Sequence, residues 1–194
     1  MIVNYHIGIR QALQHLVMLG HRAIAFIGES SGSQVAQSKK QAFQKCLSEI
    51  GCASNREWMI DTGDSDRARM EAVKKLLAAV HRPTALICSN RKSSFCAVRT
   101  LQELGITVPG EMSLIGFDVG RLQGPMGPKI TSIQTPLSDI ASAAVRELDD
   151  LINASQESSS ASAIETDTYL VRGESTGFPR GRRLPKQVNR LIHS

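Results

Sequence analysis

Apolar residues fall along this chain at two spacings, and the pattern switches between them several times. Ala12, Leu13, Leu16, Val17 and Leu19 recur at helical spacing, and Gly20 follows where a helix needs a left-handed closing residue. Ala23 to Ile27 is then a nearly continuous apolar run ending at Gly28, which reads as a strand buried on both faces. The alternation continues downstream. Helices are predicted at about 34–50, 66–80, 92–104 and 137–152, and strands at 57–60, 85–88, 112–117, 130–134 and 169–172. Gly51 and Gly105 close two of the helices, and Pro83 and Pro136 restart the chain. Residues 120–129 and 156–162 are too rich in glycine, proline or serine for regular structure. Strand and helix alternating through short turns predict an α/β domain: a parallel sheet with helices on both faces, joined by right-handed crossovers.

Ligands in such sheets bind outside the carboxyl ends of the strands. Ser65, Asn90 and Asp118 fall near those ends, and Lys39 lies in the helix after the first long strand. These four polar side chains form the candidate binding rim. Three of them also have a plainer reading. Lys39 reads equally as a solvated helix lysine, Asn90 as a helix N-cap and Asp118 as a carboxylate capping a turn.

Charge adds one localised feature. The chain of 194 residues has 23 basic and 18 acidic side chains, and five of the basic ones follow Thr176 with no acid among them. Residues 1–176 are therefore balanced at 18 and 18, which gives no electrostatic footprint for nucleic acid. The basic tail, 177–194, has two readings, phosphate contact and a solvated chain end, and the second requires less. No apolar run is long enough to cross a membrane, and Met1-Ile2-Val3 leads into a polar helical segment without a signal-like region, so a cytoplasmic protein is expected. The four cysteines, Cys46, Cys52, Cys88 and Cys96, include no CxxC pair and no nearby histidine cluster. Buried free thiols are expected, with no catalytic residue, no metal site and no cofactor. A GxGxxG, P-loop or GxSxG motif is also absent, which argues against an enzyme.

Several segments, in order, resemble the lactose-repressor type (LacI/GalR) of bacterial transcription regulators. The helix–Gly20-His21-Arg22–strand unit resembles that family's signature. SKKQAF at 38–43 resembles SxRxxGF, and PTALICSN at 83–90 resembles PTAxxxxND. ELGITVPGEMSLIGFD at 103–118 resembles xxGxxVPxDxSxxGFDD, the most specific of the set. ITSIQTP at 130–136 and LVRGEST at 170–176 complete it. The resemblance implies a periplasmic-binding-protein-like C-terminal subdomain. It implies that Lys39 takes the place of an effector-gripping arginine, and that Asn90 and Asp118 bind hydroxyls of a sugar or similar effector. It departs at Arg91 and Val119, where the family has aspartates, and at Asn4-Tyr5, where it has Asp-Asn.

By the same resemblance, residues 1–129 and 154–176 form the effector-binding subdomain. Residues 130–153 are a strand and helix belonging to a truncated N-terminal subdomain, so Ile140, Ala144, Leu148 and Leu151 should lack their usual burial. Homodimers are implied through Phe95, Arg99 and Met126, although Phe95 reads equally as core. A helix-turn-helix head is missing, so the family's DNA binding would need a longer protein. The implied function is effector binding and dimerisation in a transcription regulator. A solute (sugar)-binding protein, which shares the fold, and a degenerate gene product are the alternatives.

Overall fold

The computed structural model describes residues 2–30, 32–52, 55–119, 129–153 and 165–179, without the side chains of Asp150, Leu151 and Asn153. A six-stranded sheet carries the domain, in the order β3-β2-β4-β5-β6-β8. Its strands are β2 (Ile24–Glu29), β3 (Met59–Thr62), β4 (Ala85–Cys88), β5 (Ser113–Phe117), β6 (Thr131–Gln134) and β8 (Tyr169–Val171). All neighbours run parallel except the closing β6–β8 pair.

The period-two alternation inside the apolar runs sorts side chains to the two faces. Ile24, Phe26, Ala85, Ile87, Ile115, Phe117 and Ile133 pack against helices α1 (Tyr5–Met18) and α2 (Gln34–Ile50). Ala25, Ile27, Leu86, Cys88 and Leu114 pack against α3 (Asp66–Ala78) and α4 (Arg91–Glu103). Gly20, Gly51 and Gly105 follow α1, α2 and α4 with φ of 96°, 69° and 68°, so each takes the left-handed turn that glycine accepts without strain.

The GHR turn is a joint rather than a surface loop. His21 is 1% exposed. Its Nε2 lies 2.8 Å from the Gly177 carbonyl and its Nδ1 2.8 Å from the Thr84 hydroxyl. A carbonyl only accepts, so Nε2 carries the proton and Nδ1 accepts from Thr84. Ser175 stitches the closing segment to the sheet: its hydroxyl donates to Leu114 O at 2.6 Å and accepts from Thr131 N–H at 2.8 Å. Gly173 lies against Lys129 and Ile130 so closely that a Cβ would sit 2.3 Å from Lys129 O.

Three features differ from what the sequence led one to expect. The strand expected at Glu57–Ile60 begins instead at Met59, because Arg56–Trp58 forms a 3-10 turn capped by the Asn55 side chain. Trp58 leaves the ladder and donates its indole N–H to His81 O at 2.7 Å. Second, β6 does not stand apart with an absent subdomain. It hydrogen-bonds to β5 and β8 in the main sheet, and Ile133 is fully buried. Third, two short strands were not foreseen: β1 (Ile2–Asn4) and β7 (Glu165–Asp167) pair in parallel outside the main sheet.

Helix α5 (Leu137–Asn153) is the unpartnered element. None of its described side chains is buried, and Leu137, Val145, Leu148 and Ile152 are 58–72% exposed. Ile140 is half-buried and Ala144 exposed, while the Leu151 side chain lies outside the described residues. Met126 and the basic tail beyond Pro179 lie outside them too.

Candidate binding site at the carboxyl rim of the sheet

Strand β2 leads through α2 to β3 on one side, and β3 leads through α3 to β4 on the other. Strand order therefore reverses between β2 and β4, which run parallel, and in such sheets the crevice lies outside the carboxyl ends at that point. Four elements deliver polar groups there.

Lys39 reaches the crevice from α2. It is 8% exposed, and its Nζ donates to the Ser89 carbonyl at 3.0 Å. The ammonium sits 3.9 Å from the Phe117 ring centroid and 5.1 Å from that of Tyr5, so it lies on an aromatic floor. Burial pushes its pKa below the ordinary value, and the charges of Asp118 and Glu29 oppose that shift. The solvated-lysine reading does not describe this position. Tyr5 is shifted upward, mainly by burial and then by the Asp118 charge.

Asn90 is the N-cap of α4: its Oδ1 accepts from Ser93 N–H at 2.8 Å. Its amide nitrogen donates to Glu29. Asp118 follows β5 with φ 50°, a left-handed conformation that costs a non-glycine residue energy. Its carboxylate accepts from Thr135 N–H at 2.7 Å and from the Thr135 hydroxyl at 3.1 Å, which pins the end of β6 to the end of β5. Arg91, the charge departure from the family pattern, donates through Nε to the Asp118 carbonyl at 2.9 Å.

Ser65 is exposed and caps α3 by accepting from Ala68 N–H at 3.2 Å. Lys39, Asn90 and Asp118 thus come together, whereas Ser65 stands at the margin.

Two residues at the centre were not foreseen. Glu29 ends β2, accepts from Asn90 and lies 3.7 Å from an Arg69 nitrogen. Arg69, in the first turns of α3, is 2% exposed and donates to Asp64 O and to Asp66, the latter at 3.2 Å. Glu29 therefore links the Lys39–Asn90 side of the crevice to the Ser65 side. The available signal was a carboxylate closing an otherwise apolar run. Arg69 Nε and the hydroxyls of Ser89 and Ser93 are buried and find no partner among the described residues. Such groups are costly unless something polar meets them.

Phe95 and Arg99 occupy the outer surface of α4. Phe95 is 42% exposed, and Arg99 pairs with Glu103 at 2.8 Å. All four cysteines are buried and free. No helix among the described residues is long and apolar enough to cross a membrane.

Residues 13–176 match the family of periplasmic binding protein-like domains. Catabolite control protein A of Priestia megaterium is 28% identical over 152 residues, covering 78% of this chain and 46% of that protein. The ribose operon repressor of Haemophilus influenzae is 28% identical over 145 residues, covering 75% and 44%. A LacI transcriptional regulator from a Rhodococcus species superposes with a TM-score of 0.77 at 26% identity, covering 90% of this chain and 63% of that one. The chain spans less than half the length of these two curated relatives. From the match over residues 13–176 and from these relatives, the chain belongs to the periplasmic binding protein-like domain family, as a LacI/GalR-type effector-binding domain.

Proposed function

We propose that this chain is the effector-sensing and dimerising part of a LacI-type transcription regulator, and that its effector is a sugar-like, hydroxyl-rich small molecule held at the carboxyl rim. The observation that carries this reading is the convergence of Lys39, Asn90 and Asp118 around Glu29 at the point where strand order reverses. Donors and acceptors alternate there above an aromatic floor, which suits hydroxyls that both give and accept hydrogen bonds. The ribose operon repressor among the relatives supports the sugar class.

In this reading Lys39 donates to an effector oxygen, and the carboxylates of Asp118 and Glu29 accept from hydroxyls. Asn90 orients Glu29 and adds a contact of its own. Arg69 backs Glu29, and Ser65 contributes from the margin. The effector does no chemistry: it acts by differential affinity for two poses of the regulator, so the chain works as a binding module rather than an enzyme. Phe95 and Arg99 on α4, with Met126, form the dimer contact. DNA is met by a head domain of a longer cytoplasmic protein, not by this balanced domain. No membrane partner is involved.

The test is a thermal-shift panel of pentoses, hexoses, their phosphates and purines, run on the chain and on Lys39→Met. A ligand that binds only the folded state raises the melting temperature by mass action, about 2.7 kcal/mol at a hundredfold excess over Kd. A ligand-specific rise that Lys39→Met removes supports the reading. Equal shifts in both proteins, or none with any ligand, overturn it.

A further inference from the structure

The fold brings together a second group of side chains, away from the rim. The first turn of α1 meets the last turns of α2. There His6 faces Cys46 and Glu49, which lie three residues apart on one side of α2. Nothing in the local sequence pairs them, since His6 is 40 residues from Cys46. We propose that His6 Nε2, Cys46 Sγ and the Glu49 carboxylate form a three-ligand site for a divalent metal ion of the zinc class, with solvent as the fourth ligand.

Geometry comes first. His6 Nε2 is 3.3 Å from each carboxylate oxygen of Glu49. Metal–ligand bonds of about 2.0–2.1 Å at tetrahedral angles set nitrogen and oxygen about 3.3–3.4 Å apart. That edge of the coordination polyhedron is therefore already in place. The three donor atoms all lie within 4.8 Å of one another. A sulfur-to-nitrogen edge in a zinc site is about 3.6 Å, so the thiol closes by at most about 1.2 Å. Cys46 Sγ lies 3.6 Å from the His6 carbonyl, so the thiol already faces the first turn of α1.

Chemistry follows. One imidazole, one thiolate and one carboxylate form a mixed donor set that favours zinc or cobalt over magnesium or calcium. Three protein ligands leave one position open, and Glu49, 34% exposed, provides the open side. His6 also lines a cleft of about 510 Å³ with Asn4, Tyr5, Ser38 and Lys45, so this one ligand is reached from that side as well. Burial holds the Cys46 thiol up at about 11, with the Glu49 charge adding to that shift. Binding therefore breaks the S–H bond, forms the S–metal bond and releases one proton to solvent, so affinity rises with pH. Arg10 and Lys45 are the nearby cations. They ease loss of the thiol proton and oppose the incoming ion. Once bound, the metal ties α1 to the helix that carries Lys39.

The test is spectroscopic titration of the full 194-residue chain with Co2+ under reducing, anaerobic conditions. The expected result is one Co2+ per chain, a thiolate-to-cobalt charge-transfer band in the near ultraviolet, and its displacement by Zn2+. Cys46→Ser abolishes the band. Glu49→Gln, at an exposed carboxylate, keeps the fold and weakens binding more than about tenfold, since supporting residues alone are worth ten- to a hundredfold. His6→Gln does the same. No band at millimolar Co2+ overturns the proposal. So does a band that survives in Cys46→Ser, which would come from the other thiols. So does an affinity unchanged in Glu49→Gln, a variant that decides the matter even if Cys46→Ser does not fold.

Discussion

His21→Leu tests whether the GHR turn is the joint that locks the last segment onto the sheet. The imidazole is 1% exposed and lies within hydrogen-bond distance of Thr84, Gly177 and Ser113 at 2.8, 2.8 and 3.0 Å. Leucine fills similar space and makes none of these bonds. The neutral ring offers one N–H and one lone pair, so Nε2–H is shared between Gly177 O and Ser113 Oγ while Nδ1 accepts from Thr84. At about 1 kcal/mol net for each of these two bonds, the expected loss is about 2 kcal/mol. Two partners are partly rehoused, because Gly177 O keeps the Ser113 hydroxyl at 3.2 Å and Thr84 keeps Ala23 O at 3.3 Å, so this is near the upper limit. Urea denaturation at fixed ionic strength measures it.

The same residue fixes a pH dependence. Burial lowers the His21 pKa below 6.5, partly offset by the bond to Gly177. It also lowers that of His15, with the charges of Arg172 and His21 adding to the shift. Below about pH 6.5 the unfolded chain takes up protons that the folded chain refuses, so stability is full above that pH and falls as pH drops. The slope is at most about 1.4 kcal/mol per pH unit for each histidine. His21→Leu should remove one of the two contributions and flatten the profile between pH 7.5 and 5.5. A loss under about 0.5 kcal/mol, or a wild-type chain that gains stability on acidification, refutes the reasoning.

Other expectations follow from single contacts. Gly173→Ala puts a methyl 2.3 Å from Lys129 O and 2.7 Å from Ile130 C, both backbone atoms, and should cost about 1–3 kcal/mol by denaturation. Asn90→Ala removes the α4 cap and should cost about 1 kcal/mol, of which Asn90→Ser, a capping residue, recovers most. On α5, Val145→Gln and Leu148→Gln should each change stability by under about 0.5 kcal/mol, because both side chains are mainly exposed. Leu13→Ala in the core should cost about 2–5 kcal/mol in the same assay.

What the sequence made legible follows from how local each signal is. Strands β4 and β5 and helix α2 declare themselves because their apolar periods match burial on two faces or one, and glycines mark where α1, α2 and α4 stop. The pair β1–β7 has no such mark. Each strand is three residues long, half in solvent, and its partner lies more than 160 residues away. Trp58 looks like a strand residue until its indole finds His81. The rim was legible in position but not in partnership. Strand ends locate Asn90 and Asp118, yet only the assembled sheet turns Glu29 toward both Asn90 and Arg69, and only burial turns Lys39 inward. The cluster of His6, Cys46 and Glu49 escaped a reading that looked for ligands close in sequence, because helix packing brings them together.

The central claim is that a polar effector binds at the carboxyl rim. Amide chemical-shift mapping by NMR, with pentoses, hexoses and their phosphates added to the labelled chain, tests it most directly. The account predicts saturable shifts clustered at Glu29, Lys39, Ser89, Asn90, Asp118 and Thr135, with Arg69 and Ser65 at the edge. Saturable shifts confined to the apolar groove of about 330 Å³ beside Val98, Ile106 and Leu114, or no shift with any of these ligands, would contradict it.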